Sequence, residues 1–132
     1  PAFYAAQRFT LNVTRADMVA AGWSPSVRLF EAGACGVPVV SDAWDGLDSL
    51  FRPDEEILLA ETADDVLRTL RDCPEERRRA IGAAARAKVL ARHTAAVRAR
   101  ELEAHLLEAA AARAGRQHTV PAAGAASGRS SA

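Results

Sequence analysis

The chain of 132 residues has no net charge, with 17 basic and 17 acidic side chains, and only 5% of its residues are aromatic. Balanced charge removes the long-range field that would draw a protein to nucleic acid or to an acidic membrane, so recognition has to come from local geometry. Nucleic acid is therefore not an expected partner. With few aromatic residues, the core is built from Leu, Val, Ile and Ala, and the larger fillers are Phe3, Phe9, Phe30 and Phe51.

Cysteine, ligand-spaced histidine and long apolar runs are also scarce. Cys35 and Cys73 are far apart and have no companion ligands, which argues against a disulfide framework and against a zinc site. The histidines are not spaced as metal ligands, and no catalytic Ser-His-Asp or Cys-His set and no glycine-rich phosphate loop can be assembled. No apolar run could cross a bilayer and no signal peptide is recognisable. We therefore expect no membrane span, no cofactor and a cytoplasmic location.

Strand patterns and helix signals alternate along the chain. Alternating or continuous apolar segments predict strands at residues 9–14, 37–41 and 56–60. Helices are predicted at residues 2–8, 25–35, 48–51, 62 onward, 74 onward and 94–114, and residues 15–23 are predicted to form a loop with room for a helical turn at 16–21. This order predicts an α/β, Rossmann-like parallel sheet with right-handed crossovers over residues 1–114, followed by a disordered tail over 115–132. Three strands are few for such a sheet, so we expect a fragment of a longer protein.

Apolar spacing within the helices predicts which faces are packed. The helix at residues 25–35 should pack on the sheet through Val27, Phe30 and Ala34. The later helices should pack through Val66, Leu67, Leu70, Val97, Leu102 and Leu106. A further helix carries Arg77, Arg78, Arg79 and Arg86, which we interpret as a solvated face rather than as a phosphate patch.

Residues 23–45 concentrate the candidate chemistry. Ser24 can cap a helix, and Pro25 fits its first position because the missing N–H costs nothing there. Gly36 ends that helix, and a buried strand and an acidic loop follow. A helix N-terminus and a strand end then lie around one small volume, which is where open α/β sheets bind phosphorylated ligands.

Arg28 and Glu31 share one side of this helix and are predicted to face that crevice. The free amides near Ser26 and Val27 favour an anion, and Arg28 adds a charged donor, so a diphosphate fits there. A carboxylate beside a phosphate site is explained if Glu31 accepts from a ribose diol, as acidic residues do in dinucleotide folds. The alternative left open is that Arg28 and Glu31 form only a surface ion pair.

Other residues of the segment have two interpretations each. Asp42, at the end of the second strand, either meets substrate hydroxyls or caps a local turn, and Asp45 is more simply a turn cap. Trp44 either stacks on a base or sugar or belongs to an interface or lid. Arg15 is a candidate second phosphate cation, and Trp23 is a candidate staple for the helix start.

Residues 26–40, Ser-Val-Arg-Leu-Phe-Glu-Ala-Gly-Ala-Cys-Gly-Val-Pro-Val-Val, resemble the donor-binding segment of group 1 glycosyltransferases. Those enzymes have two facing Rossmann-like domains, the arrangement called GT-B. A longer match, through residues 11–15, 44–47 and 55–57, is similar to the CgeB-like branch, often described as spore-maturation proteins. The resemblance covers roughly residues 3–102 and corresponds to the distal part of that family's C-terminal domain.

The resemblance implies transfer of a sugar from a nucleotide-diphosphate sugar to an unknown acceptor, usually without a metal. It implies that Glu31 binds the ribose diol and that the amides at Ser26 and Val27 lie near the diphosphate. Many relatives carry a second glutamate where this chain has Trp23, so that role is lost or supplied elsewhere. The acceptor half would lie in a missing N-terminal part, and this fragment alone is expected to be inactive. The alternative is a non-catalytic nucleotide-sugar-binding or structural module; a receiver-like interaction domain is disfavoured because no acidic cluster follows an opening strand.

Overall fold

The computed structural model describes residues 2–22 and 25–118. Its elements are, in chain order, α1 (Ala2–Ala5), β1 (Thr10–Asn12), α2 (Ala16–Ala21), α3 (Val27–Ala34), β2 (Val39–Ser41), α4 (Leu47–Leu50), β3 (Leu58–Leu59), α5 (Ala63–Asp72), α6 (Glu75–Arg92) and α7 (Ala95–His118). The predicted strands and helices are all present, although the strands are shorter than predicted. Helix α7 continues through residues 115–118, which were predicted to belong to the tail, and the rest of that tail lies outside the described residues.

The three strands form one parallel sheet in the order β1-β2-β3. Asn12 is paired in register with Ser41, and Ser41 with Leu59, so the carboxyl ends of the strands meet at one edge. Helices connect the parallel strands and flank the sheet. The predicted α/β, Rossmann-like parallel fold is confirmed.

Both faces of the sheet are covered by apolar side chains. Val39 and Ile57 point to one face, where they pack with Leu29 of α3, Phe51 and Val89 of α6. The next residues along the strands point to the other face, where a second cluster contains Val40, Leu58, Ala60 and Ile81, with Phe9 and Val66 packed against it. The continuous apolar runs of the strands are therefore explained by burial on two sides.

Helix α3 begins two residues later than predicted, and its packed face is only partly the predicted one. Phe30 and Ala34 pack against the core as predicted, but the fully buried positions are different ones. Ser26, rather than Ser24, is its N-cap, and the Ser26 hydroxyl accepts from the backbone N–H of Arg28. Ser24 lies outside the described residues, as does Trp23. The buried residues of α3 are Leu29, Ala32 and Gly33, whereas Val27 is 68% exposed.

Close contact with α6 explains this choice of face. Gly33 lies against Val89, and a Cβ atom on Gly82 of α6 would collide with the carbonyl oxygen of Gly36. Gly36 itself has a φ of +73°, which ends α3 in the left-handed region that favours glycine. The small residues of α3 and α6 therefore let the two backbones approach, a long-range requirement that the spacing within α3 does not reveal.

Some predicted packing residues are instead largely exposed. Phe3 is 72% exposed rather than a core filler, and Leu67 and Leu70 of α5 are 42% and 39% exposed. On α7, Leu102 and Leu106 are 60% and 61% exposed, so the predicted inner face is wrong at these two positions, whereas Val97 is half-buried. On α5, Val66 alone of the three predicted residues packs against the core.

The chain divides into two compact units, Pro1–Val97 and Arg98–Ala132. The first contains the sheet and α1 to α6, and the described part of the second is the continuation of α7, with an ion pair between Arg98 and Glu101. Within the described residues, no helix is both long enough and apolar enough to span a membrane.

Candidate functional site

A polar network joins the carboxyl ends of β1 and β2. Asn12 Nδ2 donates to Ser41 Oγ at 3.0 Å, and the Ser41 hydroxyl donates to the backbone carbonyl of Asp42 at 2.9 Å. One oxygen of Asp42 accepts from both the amide and the hydroxyl of Thr14, at 3.1 and 3.0 Å. Asn12 and Ser41 are only 2% and 0% exposed. Buried polar groups are normally paired in this way, and the pairing fixes the polar edge of the sheet.

Arg28 connects α3 to this network. Its Nη1 donates to the carbonyl oxygen of Leu11 and to Asn12 Oδ1, each at 3.4 Å. Within residues 2–22 and 25–118, Arg28 and Glu31 form no ion pair, so the surface-pair alternative is not what the structure contains. The guanidinium is instead held at the carboxyl end of β1, where its remaining N–H groups can donate to an anion.

A cleft of about 200 Å³ lies beside Arg28 at the start of α3. It is lined by Asn12, Val13, Thr14, Arg15, Met18, Ser26 and Arg28. The predicted residues Ser26 and Arg28 are thus brought together, and Arg15 joins them from the start of α2. Arg15 is largely exposed and lies 3.9 Å from Asp17, a surface pairing that leaves the guanidinium in solvent. Two cations and a helix N-terminus make this cleft suited to an anion.

Glu31 lies one turn further along α3 and is exposed, and it does not line the cleft. Its Oε2 accepts a hydrogen bond from the phenol of Tyr4, on α1, at 2.8 Å. This bond raises the pKa of Tyr4 above its ordinary 10.0, and partial desolvation and the charge of Glu31 act in the same direction. Glu31 therefore lies at the surface of α3, outside the cleft. Its carboxylate is oriented by Tyr4, a contact that the sequence did not predict.

Asp42 lines a second, larger groove of about 480 Å³ between the end of the sheet and α5. Leu11, Val13 and Leu67 form much of its apolar wall, and Ser41 and Asn12 contribute polar atoms. Asp42 Oδ1 ties the loop after β1 to the end of β2, and this contact with Thr14 spans 28 positions of the chain rather than capping a local turn. Asn12 and Val13 line both the cleft and the groove.

The remaining predicted residues do not gather at these clefts. Trp44 is 9% exposed and belongs to the core, and its Nε1 has no hydrogen-bond partner among the described residues. Asp45 does not cap α4, whose N-cap is Gly46. Val27, at the start of α3, is exposed and lies outside the lining of the cleft.

The four arginines of α6 that were predicted to form one face have intramolecular partners. Arg77 pairs with Asp54, Arg78 and Arg79 both pair with Glu75, and Arg86 Nε donates to the carbonyl oxygen of Ala34. These contacts agree with a structural face rather than with a phosphate patch. In the described ranges, no group of three or more His, Cys, Asp or Glu side chains could hold a metal ion.

Sequence reasoning missed three residues of the site, namely Asn12, Thr14 and Tyr4. A signal existed for Asn12, because an asparagine inside a β-branched strand is unusual and marks a polar strand end. Thr14 could have been paired with Asp42 once β1 and β2 were placed side by side. The contact of Tyr4 with Glu31 crosses two elements and has no local signature.

The parallel sheet defines a Rossmann-like domain, and the cation-lined cleft lies at the carboxyl edge, where open α/β sheets bind their ligands. A protein-family model described as "Glycosyl transferase-like" matches residues 1–104 of the chain. The chain belongs to this family, which indicates a function in glycosyl transfer and, in general, a nucleotide-sugar donor. No curated protein matches the chain, and no solved structure does.

Proposed function

We propose that the chain is the donor-binding, C-terminal part of a GT-B glycosyltransferase of the CgeB-like branch. In this proposal it holds the nucleoside diphosphate of a nucleotide-activated sugar at the start of α3. The observation that carries the proposal is the position of Arg28, anchored to Leu11 and Asn12 at the end of β1 and lining the cleft. Family membership supplies the ligand class that such a cation would meet.

The diphosphate would lie against the N-terminus of α3. The first amides of a helix have no partner inside it. The Ser26 hydroxyl accepts from the N–H of Arg28, and the amide of Val27 has no acceptor within the described residues, so the proposal takes that amide as a donor to the diphosphate. The helix dipole adds about 0.3–1 kcal/mol, and a charge-assisted hydrogen bond from Arg28 adds about 1.5–3 kcal/mol. Arg15 would neutralise further charge across the cleft. Because these groups are cationic or dipolar, they also favour the diphosphate as a leaving group without a metal.

The ribose would be bound by Glu31, one turn along α3 from Arg28. The assignment of Glu31 is supported by the family resemblance of residues 26–40 and by the spacing of one helical turn, which matches the step from phosphate to pentose. The proposal also includes Ser24 in the diphosphate turn, because it stands two residues before Ser26 in the sequence. The second oxygen of Asp42 accepts no hydrogen bond within the described residues, and we assign it to hydroxyl groups of the donor.

Catalysis would need a further, N-terminal Rossmann-like half, which supplies the acceptor site and faces this domain across the donor. In the proposal the enzyme works in the cytoplasm and uses the nucleotide sugar as substrate, with no cofactor. Trp23 occupies the position of the second glutamate of many relatives, so the group that assists transfer would come from elsewhere in the enzyme.

A second candidate is a non-catalytic module that kept the fold and binds nucleotide sugars without turnover. The residue at position 23 favours it, because tryptophan cannot act as an acid or base. Incubation of the longer parent protein with a panel of nucleotide sugars separates the two. Release of nucleoside diphosphate that is lost in Glu31→Gln supports the enzyme. Binding without release supports the module, and neither binding nor release contradicts both.

A further inference from the structure

Tyr4 contacts Glu31 from a different element of the first unit. Its phenol donates to Glu31 Oε2 at 2.8 Å, although the two residues lie 27 positions apart in the chain. The Tyr4 ring is half-buried and packs against the core cluster that contains Leu29, and α1 lies against α3. An aromatic ring anchored in the core gives its hydroxyl a defined position, so the phenol is able to orient the carboxylate.

The Tyr4 hydrogen bond occupies one of the two carboxylate oxygens. Within residues 2–22 and 25–118, Oε1 of Glu31 accepts no hydrogen bond and Glu31 joins no ion pair. An exposed glutamate has several rotamers, and fixing one of them costs conformational entropy when a ligand binds. Tyr4 removes part of that cost before the ligand arrives, because the carboxylate is already held.

We infer that Tyr4 is a positioning residue that holds Glu31 for a vicinal diol, so that the chain prefers ribonucleotides to their 2′-deoxy counterparts. The inference rests on the proposed function, because it takes Glu31 as the group that meets the pentose. With Oε2 held by Tyr4, Oε1 accepts from one hydroxyl of the diol, and the remaining lone pair of Oε2 accepts from the other.

The protonation state of Tyr4 agrees with this role. The hydrogen bond to Glu31 raises the pKa of Tyr4 above 10.0. The phenol therefore keeps its proton at neutral pH and remains a donor to the carboxylate.

The test compares the affinities of the full chain for a ribonucleoside diphosphate and for its 2′-deoxy counterpart, measured by calorimetry. Tyr4→Phe removes only the hydroxyl. We expect it to weaken ribonucleotide binding about three- to tenfold, since the ordering of one long side chain is shifted to the binding step. The 2′-deoxynucleotide keeps only the 3′ hydroxyl for Glu31, so Tyr4→Phe should weaken its binding less than it weakens that of the ribonucleotide. Ala5→Ser, at an exposed position of the same helix, is the matched control and should change neither affinity.

Glu31→Gln separates the inference from the proposed function. If Glu31→Gln abolishes the preference for the ribonucleotide and Tyr4→Phe leaves it unchanged or tightens binding, the positioning role of Tyr4 is wrong and the ribose contact stands. If Glu31→Gln also leaves the preference intact, the ribose contact is wrong and the inference fails with it. A wild-type chain without such a preference, or without nucleotide binding, overturns both.

A spectroscopic measurement tests the same contact without nucleotide affinities. Tyr4 is the chain's one tyrosine, so tyrosinate absorbance during an alkaline titration reports this residue alone. We expect Glu31→Gln to lower the pKa of Tyr4 toward 10.0, and bound ribonucleotide to leave that pKa raised. A fall of the Tyr4 pKa on binding would mean that the ligand displaces the phenol from Glu31. Tyr4 would then compete with the ligand for the carboxylate, and the positioning role would be wrong.

Discussion

Asn12 at the end of β1 and Ser41 at the end of β2 are buried partners, with Asn12 Nδ2 donating to Ser41 Oγ at 3.0 Å. Because Asn12 Oδ1 also accepts from Arg28, the same amide joins the sheet to the cation of the cleft. One side chain therefore serves both the stability of the sheet edge and the position of the proposed phosphate-binding group.

Replacement of this amide should be costly. We expect Asn12→Ala to lower the free energy of unfolding by about 1–3 kcal/mol, because it removes a buried donor and acceptor and leaves their partners under-satisfied. Chemical denaturation measures the change. Val13→Ala, at the adjacent position, is the matched control and should cost less than about 0.5 kcal/mol, since Val13 is 67% exposed. Equal losses of unfolding free energy in the two variants would mean that the hydrogen bonds of Asn12 do not stabilise the fold.

Helix α6 lies so close to the end of α3 that a methyl group at residue 82 should not fit between them. A Cβ on Gly82 meets the carbonyl oxygen of Gly36, which belongs to the backbone and has little room to shift. We expect Gly82→Ala to destabilise the chain by about 1–3 kcal/mol in thermal or chemical unfolding.

Gly33→Ala is the comparison for this contact. The new methyl there would lie 3.0 Å from a side-chain methyl of Val89, whereas a Cβ on Gly82 would overlap backbone, so the loss should be smaller. A Gly82→Ala variant as stable as the wild type would show that the two helices have more freedom than the structure assigns to them.

Glu75 should give the domain part of its resistance to acid. Hydrogen bonds and charge from Arg78 and Arg79 outweigh desolvation and lower the pKa of Glu75 from 4.5 to about 2. A carboxyl group whose pKa is lowered by folding stabilises the folded state above its unfolded pKa. That contribution is lost as the pH falls from 4.5 toward 2.

We therefore expect the melting temperature of Glu75→Gln to lie below that of the wild type at pH 6, and the difference to shrink between pH 4.5 and pH 2. Glu76→Gln is the matched control, because Glu76 is in the same helical turn and forms no ion pair within the described residues. A difference between Glu75→Gln and wild type that does not depend on pH would contradict this origin.

Local signals predicted much of the fold. The hydroxyl of Thr62 and the carboxylate of Asp65 form the capping box expected from their spacing, and the apolar runs around Val39 and Leu58 are the expected parallel strands. The capping box depends on residues a few positions apart. The strands depend on continuous apolar runs, which are typical of any Rossmann-like sheet.

Other features depended on partners that the sequence could not reveal. Either serine beside Pro25 could cap α3, and the packed face of α3 was decided by the glycine-mediated contact with α6. Spacing likewise predicted that Glu31 would face the crevice together with Arg28. The structure separates them, because Arg28 reaches β1 and Glu31 meets Tyr4 of α1. Long-range contacts of this kind override helical periodicity.

The most direct test of the account is the affinity of the chain for a nucleoside diphosphate with and without Arg28. Arg28→Ala should weaken binding by at least about tenfold, the effect of losing one charge-assisted hydrogen bond. Arg86→Ala is the matched control, because Arg86 also donates to a backbone carbonyl, that of Ala34 at the other end of α3. It should bind within about twofold of the wild type. Wild-type affinity in Arg28→Ala would contradict the claim that this cleft holds the diphosphate.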